Sequence, residues 1–290
     1  MERWRSAGSG LRAAACRVAG AAALLLAGGM AAAAPVSPWV GAEAGTFQWQ
    51  EFLDGDRELR ESGPALRFGT GVDNLDAAER GPLLHGAFWI NLARVDYDGS
   101  AQYLDEDGER QTVPAETDGR YQGVSALFLM GRRWRPRGSS GMGVDLLGGF
   151  GFDHWRRRLE DTSIADGRPV AGITEYYYLL DLQLAAGTVH RPAGWGVRWH
   201  AGFRYPFYVS EYFENSVNLN PRGVWSPFAE VTVVPPGAGR GPAGGGWALT
   251  LRYDTYRFEA SDTAPAGGYF LFQPESDMDR ITVGTRYRFQ

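Results

Sequence analysis

Two pairs of residues have the types and spacing that hydrolytic chemistry requires. Asp96 and Asp98 share one face near the end of a predicted strand, and Asp153 directly precedes His154 near the end of another. A carboxylate pair facing a histidine could activate a water molecule for attack on a substrate. Acidic and histidine side chains at the edges of loops are, however, usually only solvated. The catalytic candidates in the sequence are therefore Asp96, Asp98, Asp153 and His154. The simpler interpretation is that all four are solvated and have no catalytic role.

Other residue types that bind metals or cofactors do not form motifs in this chain. His85, His190 and His200 have no serine at the spacing of a serine–histidine hydrolase. The glycines at 69–71 and 149–151 are not followed by a predicted helix, so they do not form a phosphate-binding loop. We therefore expect neither a cofactor nor a metal site.

Charged residues instead recur at every second position, opposite apolar residues. The clearest example is the segment 195–209, where Arg198, His200 and Arg204 alternate with apolar side chains such as Val197 and Phe203. Side chains alternate between the two faces of a strand, so this pattern predicts strands with one apolar and one charged face. The charged face of all such segments carries six acids and six bases: Glu43, Asp145, Asp153, Asp181, Glu230 and Asp254, with Arg67, Arg198, Arg204, Arg252, Arg286 and Arg288.

Ten alternating segments of about ten residues or more are predicted as the strands that position these side chains. They span 39–52, 63–72, 83–98, 119–134, 142–155, 175–191, 195–209, 225–234, 247–256 and 277–290. The fourth is apolar on both faces, so its orientation stays open. Such a series predicts an all-β protein, a ten-stranded antiparallel transmembrane β-barrel, with eight or twelve strands as alternatives. A secreted β-sandwich is the competing fold, but it would expose many apolar side chains to water.

The N-terminus resembles a secretory signal peptide. Four arginines precede an apolar run from Val18 to Leu26, and small residues at 31–34 follow it. We expect cleavage after Ala33, which leaves one barrel domain, residues 34–290. Cleavage removes Cys16, the only cysteine, and so excludes disulfides and a cysteine-ligated zinc site. It also lowers the formal net charge from −5 to −8, because four arginines and Glu2 are lost, and an acidic chain is a poor candidate for nucleic-acid binding.

The last segment, DMDRITVGTRYRFQ, resembles the C-terminal insertion signal of Gram-negative outer-membrane β-barrels. Gly284, Tyr287 and Phe289 carry this resemblance, which implies recognition by the barrel-assembly machinery. Further segments resemble a widespread group of uncharacterised bacterial outer-membrane barrels, in the general class of small OmpA-like or porin-like barrels: WQEFLDGDRELRESGP from Trp49, VDYDG from Val95, FRYPFYVSEYF from Phe203, DTYRF from Asp254 and FQPES from Phe272. The resemblance implies the fold and an outer-membrane location after export, but no activity.

Connections and aromatic residues give the barrel an expected orientation. With the N-terminus in the periplasm, the outer connections are 53–62, 99–118, 157–174, 210–223 and 260–276. Aromatic residues prefer membrane interfaces, so we expect two girdles. The periplasmic girdle contains Trp39, Trp134, Trp195, Trp247, Tyr287 and Phe289, and the outer girdle contains Trp49, Tyr97, Trp155, Tyr176, Phe207, Tyr208 and Trp225.

The charged interior leaves three functions open. A barrel of about ten strands is nearly filled by its side chains, so a closed, salt-bridged lumen is favoured, with a structural or surface-interaction role for the outer loops. A narrow small-solute channel is the first alternative. A hydrolase with a site at the barrel rim is the second; omptin proteases are ten-stranded barrels that use an Asp pair and a His/Asp pair, but this chain does not match their motifs. The expected partners are outer-membrane lipid and an unknown surface ligand, and the expected effect of the arginine–carboxylate pairs is to hold the wall together.

Overall fold

Ten long β-strands dominate the computed structural model. It describes residues 36–75, 81–104, 110–135, 142–164, 167–190, 195–213, 217–236, 245–266 and 269–289, so the expected signal peptide lies outside the described residues. The strands are β1 Ser37–Leu53, β2 Asp56–Asp73, β3 Gly81–Leu104, β4 Arg110–Trp134, β5 Gly143–Leu159, β6 Thr174–His190, β7 Gly196–Phe213, β8 Ser226–Val234, β9 Gly246–Glu259 and β10 Glu275–Arg288.

Each long strand pairs antiparallel with the next, and β1 also pairs with β10. The register joins Glu43 to Arg67 on β2 and to Gly284 on β10, so the hydrogen-bond ladder closes on itself. A closed ladder has no free edge, which a sheet in a membrane requires. The prediction of an all-β, ten-stranded antiparallel barrel is thus confirmed.

The short strands of the described residues lie at one end of the barrel. They are Thr162–Ser163 with Pro169–Val170, Asn218–Leu219 beside β7, Arg222–Val224 beside β9, and Ala264–Ala266 with Tyr269–Leu271. We call this the hairpin end, and the opposite end, where β1 begins and β10 finishes, the terminal end. Within the described ranges, no helix is long and apolar enough to cross a membrane.

The hairpin end differs from the sequence-based prediction. Residues 53–62 were expected to form a loop, but Asp54 and Gly55 alone make the turn, with φ of 52° and 88°. Two consecutive positive φ values define the two-residue hairpin turn that Asp-Gly favours, so the dipeptide carried a signal that alternation did not. Residues 99–118 were also expected to be a connection, yet β3 and β4 stay paired out to Leu104 and Arg110.

The outer surface carries a continuous apolar belt around the barrel. Its side chains point away from the interior and are 36–61% exposed, although they are large and apolar. The belt comprises Val40, Leu66, Phe68, Val72, Phe88, Ile90, Leu92, Met130, Val144, Leu146, Phe150, Phe152, Leu184, Trp199, Phe203, Leu249, Leu251, Ile281 and Val283. Monomeric soluble proteins rarely expose so much contiguous apolar area. The belt is therefore a surface that another apolar phase covers.

The two expected aromatic girdles are only partly formed. Trp134, Trp195 and Trp247 are exposed at the terminal end, and Phe207 and Trp225 are exposed at the hairpin end. By contrast, four side chains assigned to the girdles are buried inside the barrel: Trp39, Trp49, Tyr97 and Trp155. Trp39 and Trp49 share the parity of Glu43 along β1, so strand alternation itself requires them to point inward.

Candidate functional site

Asp254 lies at the centre of the barrel interior and binds four arginines. Its carboxylate accepts hydrogen bonds from Arg204 at 2.5 Å, Arg252 at 2.6 Å, and Arg67 and Arg280 at 3.3 Å. Asp254 is only 1% exposed. Charge-assisted hydrogen bonds of this kind are the strong ones in a dry interior. One carboxylate on β9 thereby ties together strands β2, β7 and β10.

Two further carboxylates extend this cluster toward the terminal end. Arg286 contacts Glu43 at 3.2 Å and Glu230 at 2.7 Å. Arg67 links Glu43 back to Asp254, and Arg252 links Glu230 back to it at 3.1 Å. We call this set the lumen network: Glu43, Arg67, Arg204, Glu230, Arg252, Asp254, Arg280 and Arg286. It crosses the interior, so its charges are neutralised by one another rather than by water.

Aromatic rings cover the guanidinium faces that the carboxylates leave free. Arg67 stacks over Trp89 at 4.5 Å, Arg286 over Trp39 at 4.8 Å, and Arg204 over Tyr256 at 4.6 Å. A desolvated guanidinium gains about 2 kcal/mol from such a contact. Trp39, which was expected in a girdle, thus gains a favourable contact inside the barrel.

The remaining charged residues expected in the lumen also point inward. At the terminal end, Asp145 accepts hydrogen bonds from Nε and Nη2 of Arg133, at 2.6 and 2.7 Å, and lies 3.1 Å from Nε2 of His200. Arg288 lies 3.1 Å from Asp73. Arg198 donates to Thr232 at 3.3 Å and lies 3.9 Å from Glu230.

The structure does not bring the four hydrolytic candidates together. Asp153 points inward, where it accepts hydrogen bonds of 2.5 Å from Ser125 and from Tyr256, whose hydroxyl also contacts Asp181 at 3.1 Å. His154, the next residue, points outward. Its Nδ1 lies 2.9 Å from the carbonyl oxygen of Tyr177, and its ring stacks on Tyr178.

Asp96 and Asp98 are exposed on the outward face of β3. Their neighbours across the ladder toward β4 are Asp118 and Glu116. A carboxylate pair and a histidine therefore share no common cleft among these positions. The arrangement offers no site where one water molecule could meet all three groups.

Side chains fill the lumen over the length of the belt. Toward the hairpin end, an apolar and aromatic cluster centred on Trp49, Tyr177, Leu179 and Tyr256 closes the interior. Toward the terminal end, a second cluster contains Leu83, Leu129, Leu147 and Phe228. Three interior cavities between the described side chains measure about 20 to 30 Å³, room for a single water molecule each.

A second charged cluster lies inside the hairpin end, beyond the belt. Arg157 pairs with Glu61, with Glu175 at 2.7 Å and with Glu51 at 3.7 Å. Glu211 is fully buried beside them, and neither of its carboxylate oxygens has a hydrogen-bond partner among the described residues. We call this set the acidic cluster: Glu51, Glu61, Arg157, Glu175 and Glu211.

Burial and mutual repulsion make two of these glutamates difficult to ionise. Burial raises the pKa of Glu211 well above its ordinary value, and the neighbouring charges of Glu175 and Glu51 add to the effect. Burial also raises the pKa of Glu175, although Arg157 opposes the shift. One guanidinium is therefore too little for four carboxylates, and the cluster can hold protons that isolated glutamates would release.

Sequence reasoning missed several interior charges. Arg280 shares the parity of Arg286 along β10, and Glu51 shares that of Glu43 along β1, so continuing the alternation would have placed both inside. Arg133 lies on β4, the strand whose orientation the sequence left open. Arg157, Glu175 and Glu211 fall in segments where alternation was not followed to its end.

The C-terminal residues of the expected insertion signal have clear structural contacts. A Cβ at Gly284 would collide with the carbonyl oxygen of Ala42 and with the Glu43 side chain, so the closing seam requires glycine there. Tyr287 contacts Trp247 and Phe289, each with ring centroids 5.1 Å apart. These contacts stabilise the seam, and recognition by the assembly machinery stays a prediction.

Comparison with known proteins gives similar folds without a family. No family model and no curated protein matches the sequence. Similar solved structures include the outer membrane protease OmpT from Escherichia coli, with 11% identity, 88% of this chain and 96% of that chain covered, and a TM-score of 0.48. An outer membrane channel from Pseudomonas putida F1 gives 10% identity, 90% and 98% coverage, and a TM-score of 0.37. The attachment invasion locus protein Ail of Yersinia pestis gives 11% identity, 87% of this chain and 99% of that chain covered, and a TM-score of 0.29. These three are outer-membrane proteins with different activities.

Proposed function

We propose that this protein is an outer-membrane β-barrel with a closed lumen, which acts as a structural or surface-interaction protein through its hairpin end. The observation that carries the proposal is the combination of an apolar belt outside with a filled, ion-paired interior. The belt fits the hydrocarbon of a bilayer, and the closed ladder satisfies the backbone there. The filled interior leaves the parts beyond the belt as the surface available for interactions.

The hairpin end supplies that surface. Beyond the belt, β3 and β4 remain paired from Arg94 and Arg120 out to Leu104 and Arg110. At about 3.3 Å per residue, this hairpin extends roughly 30 Å along the strand direction. Tyr97, Ala115, Leu159 and Ile164 form a small apolar core that stiffens its base. With an exported chain and a periplasmic N-terminus, the hairpin end faces the outside of the cell.

Single-channel conductance tests the closed lumen. The refolded mature protein is added to a planar bilayer, with a heat-denatured sample as control and a heat-dependent shift in gel mobility as proof of folding. We expect no conductance steps from the folded protein, because side chains occupy the lumen from the lumen network to the aromatic cluster. The variants Glu230→Ala and Arg252→Ala distinguish a closed lumen from the alternative of a narrow channel. A channel gated by these pairs gives conductance steps in the wild type and larger steps in the variants.

Cysteine labelling in intact cells tests the orientation. In a Cys16→Ser background, the chain contains no other cysteine. Asp54→Cys lies in the exposed β1–β2 turn, and Pro236→Cys lies beyond β8 at the terminal end. We expect a membrane-impermeant maleimide to label the first variant in intact cells and the second only after the outer membrane is permeabilised. The reverse pattern would contradict the proposed orientation.

The rim hydrolase has less support than either lumen alternative. Its candidate groups point to opposite faces, as Asp153 and His154 do. If a hydrolytic activity were nevertheless detected in the purified protein, Asp98→Ala and His154→Ala would test whether these residues carry it.

A further inference from the structure

Three arginines lie side by side on the outward face, just beyond the belt at the hairpin end. The strand register places Arg94 on β3 directly opposite Arg120 on β4, and Arg120 directly opposite Arg158 on β5. Arg156 lies one step closer to the belt, opposite Gln122. Like charges directly opposite one another destabilise a sheet, so this row costs folding free energy unless something neutralises it. We call Arg94, Arg120, Arg156 and Arg158 the arginine row.

Within the part of the chain that the structure describes, one member of the row has an ion-pair partner. Arg120 pairs with Glu160 at 2.5 Å. Among the ion pairs within the described part of the chain, none involves Arg94, Arg156 or Arg158. This contrasts with the lumen network, where each arginine contacts a carboxylate. The chain thus supplies partners for its arginines inside the barrel and leaves three cations together on the outside.

The neighbouring rows define the height at which an anion would bind. On the belt side the register joins Ile90, Val124, His154 and Tyr178, and this row is apolar or aromatic apart from the imidazole of His154, which stacks on Tyr178. On the far side, Asp96 faces Asp118, so the next step away from the belt is acidic. An anion attracted to the arginine row is excluded from the apolar surface on one side and repelled by carboxylates on the other. The favourable position is the narrow zone just outside the hydrocarbon.

An open polar pocket of about 650 Å³ occupies this zone. Arg120, Arg156 and Arg158 line it, together with Thr174, Tyr176 and the carboxylates Glu160 and Asp161. Asp161 is engaged by the backbone NH of Gly172 at 2.7 Å. Guanidinium groups match phosphate oxygens with two parallel hydrogen bonds, and phosphates are the anions found at this depth of a membrane.

We propose that the arginine row binds the phosphate groups of an outer-leaflet lipid, whose acyl chains lie along the adjacent belt. This proposal rests on the proposed outer-membrane location. The bound phosphates remove the repulsion between Arg94, Arg120 and Arg158, so the lipid stabilises the β3–β5 wall. The site selects headgroups with more than one phosphate, because several guanidinium groups are available side by side.

Lipid-dependent stability of the folded barrel in detergent micelles tests this proposal. The midpoint temperature for loss of the folded gel mobility is measured against increasing amounts of a diphosphorylated glycolipid, lipid A, and of its dephosphorylated form. The test variant is Arg94→Gln/Arg156→Gln/Arg158→Gln. The matched control, Arg57→Gln/Arg60→Gln/Arg222→Gln, removes the same charge from exposed positions outside the row.

We expect lipid A to raise the midpoint of the wild type and the control, and the test variant to require about a hundredfold more lipid. The dephosphorylated lipid should stabilise all three proteins equally. An equal response of test variant and control to lipid A would overturn the proposal. Inorganic phosphate that stabilises the wild type and competes with lipid A would show a site for free phosphate instead. Failure of the outer-membrane proposal is distinguishable, since the protein would then show no heat-dependent mobility shift at all.

Discussion

The two interior charge clusters have opposite compositions. In the lumen network, one carboxylate, Asp254, is contacted by four arginines. In the acidic cluster, one arginine, Arg157, is surrounded by four glutamates, three of them within 4 Å. Both clusters are buried. They differ in position, because the lumen network lies at the level of the apolar belt and the acidic cluster lies beyond it.

The comparison indicates that the surroundings of a buried cluster limit how much net charge it can carry. Within the belt, water and counter-ions are remote, so Glu43 and Glu230 supplement Asp254 and reduce the formal excess of the five arginines to two charges. Beyond the belt, the acidic cluster keeps an excess of carboxylates. It lowers its charge by retaining protons, as the raised pKa values of Glu175 and Glu211 show. The first cluster is therefore built for permanent pairing, and the second responds to pH.

Removal of the central carboxylate should have the largest effect. Asp254→Asn leaves Arg67, Arg204, Arg252 and Arg280 facing one another without their shared partner. Breaking a buried ion pair costs about 3–5 kcal/mol, so we expect a loss of at least that size in the free energy of unfolding. Urea unfolding of the barrel in lipid vesicles, followed by tryptophan fluorescence, measures it.

Asp279→Asn is the matched control for this experiment. Asp279 contacts Arg257 at 2.9 Å on the outward side of β10 and is about a quarter exposed. Because surface ion pairs contribute at most about 1 kcal/mol, the control should unfold near the wild-type midpoint. Equal losses in the two variants would show that the four-arginine contact is unimportant.

Removal of the central arginine should have a smaller effect that depends on pH. Arg157→Met leaves the buried glutamates without a cation, and we expect a loss of about 3 kcal/mol at neutral pH. Arg157 lowers the pKa values of Glu175 and Glu211, so without it these two folded-state pKa values rise further above their unfolded values. Carboxylates with raised pKa destabilise the fold at high pH and lose that effect on protonation. The variant should thus approach wild-type stability near pH 5, and a loss that is independent of pH would indicate a packing defect instead.

The sequence was sufficient to predict the strands at the level of the apolar belt, where an apolar outer face alternates with a charged inner face. The β7 segment, with Arg198, His200 and Arg204 against Val197 and Phe203, predicted both the strand and the orientation of its side chains. Ten strands and closure followed from repeating this argument. Beyond the belt the outward face is polar as well, so the contrast between faces fades. That is why residues 99–104 of β3 and 110–118 of β4 were expected to belong to a connection.

The candidate site was less predictable than the fold. Alternation indicates which charges point inward, but not which of them meet across the lumen. The contact of Arg67 with Asp254 joins residues 187 positions apart. It depends on the closure and stagger of the barrel rather than on any local pattern. The row formed by Arg94, Arg120 and Arg158 is invisible for the same reason, since the register of three strands creates it.

The smallest predicted effect is a gain in stability. Glu211→Gln keeps the size of the side chain but removes an unpaired charge from the acidic cluster. Its folded-state pKa is raised above the ordinary value of 4.5, so the wild type loses stability as the pH rises above 4.5, and the loss is complete once the pH exceeds the raised pKa. We expect the variant to be more stable by about 1 kcal/mol at pH 8, the scale of an uncompensated buried polar group, and equal to the wild type near pH 4.

Glu259→Gln provides the comparison for this gain, because Glu259 is an exposed partner of Arg222. It should change stability by less than about 0.5 kcal/mol at either pH. If Glu211→Gln destabilised the barrel at pH 8, its carboxylate would be a required anion, and the acidic cluster would be as permanently paired as the lumen network. A gain that grows with pH would instead establish that ionisation of the buried Glu211 carboxyl, beyond the belt, destabilises the folded barrel.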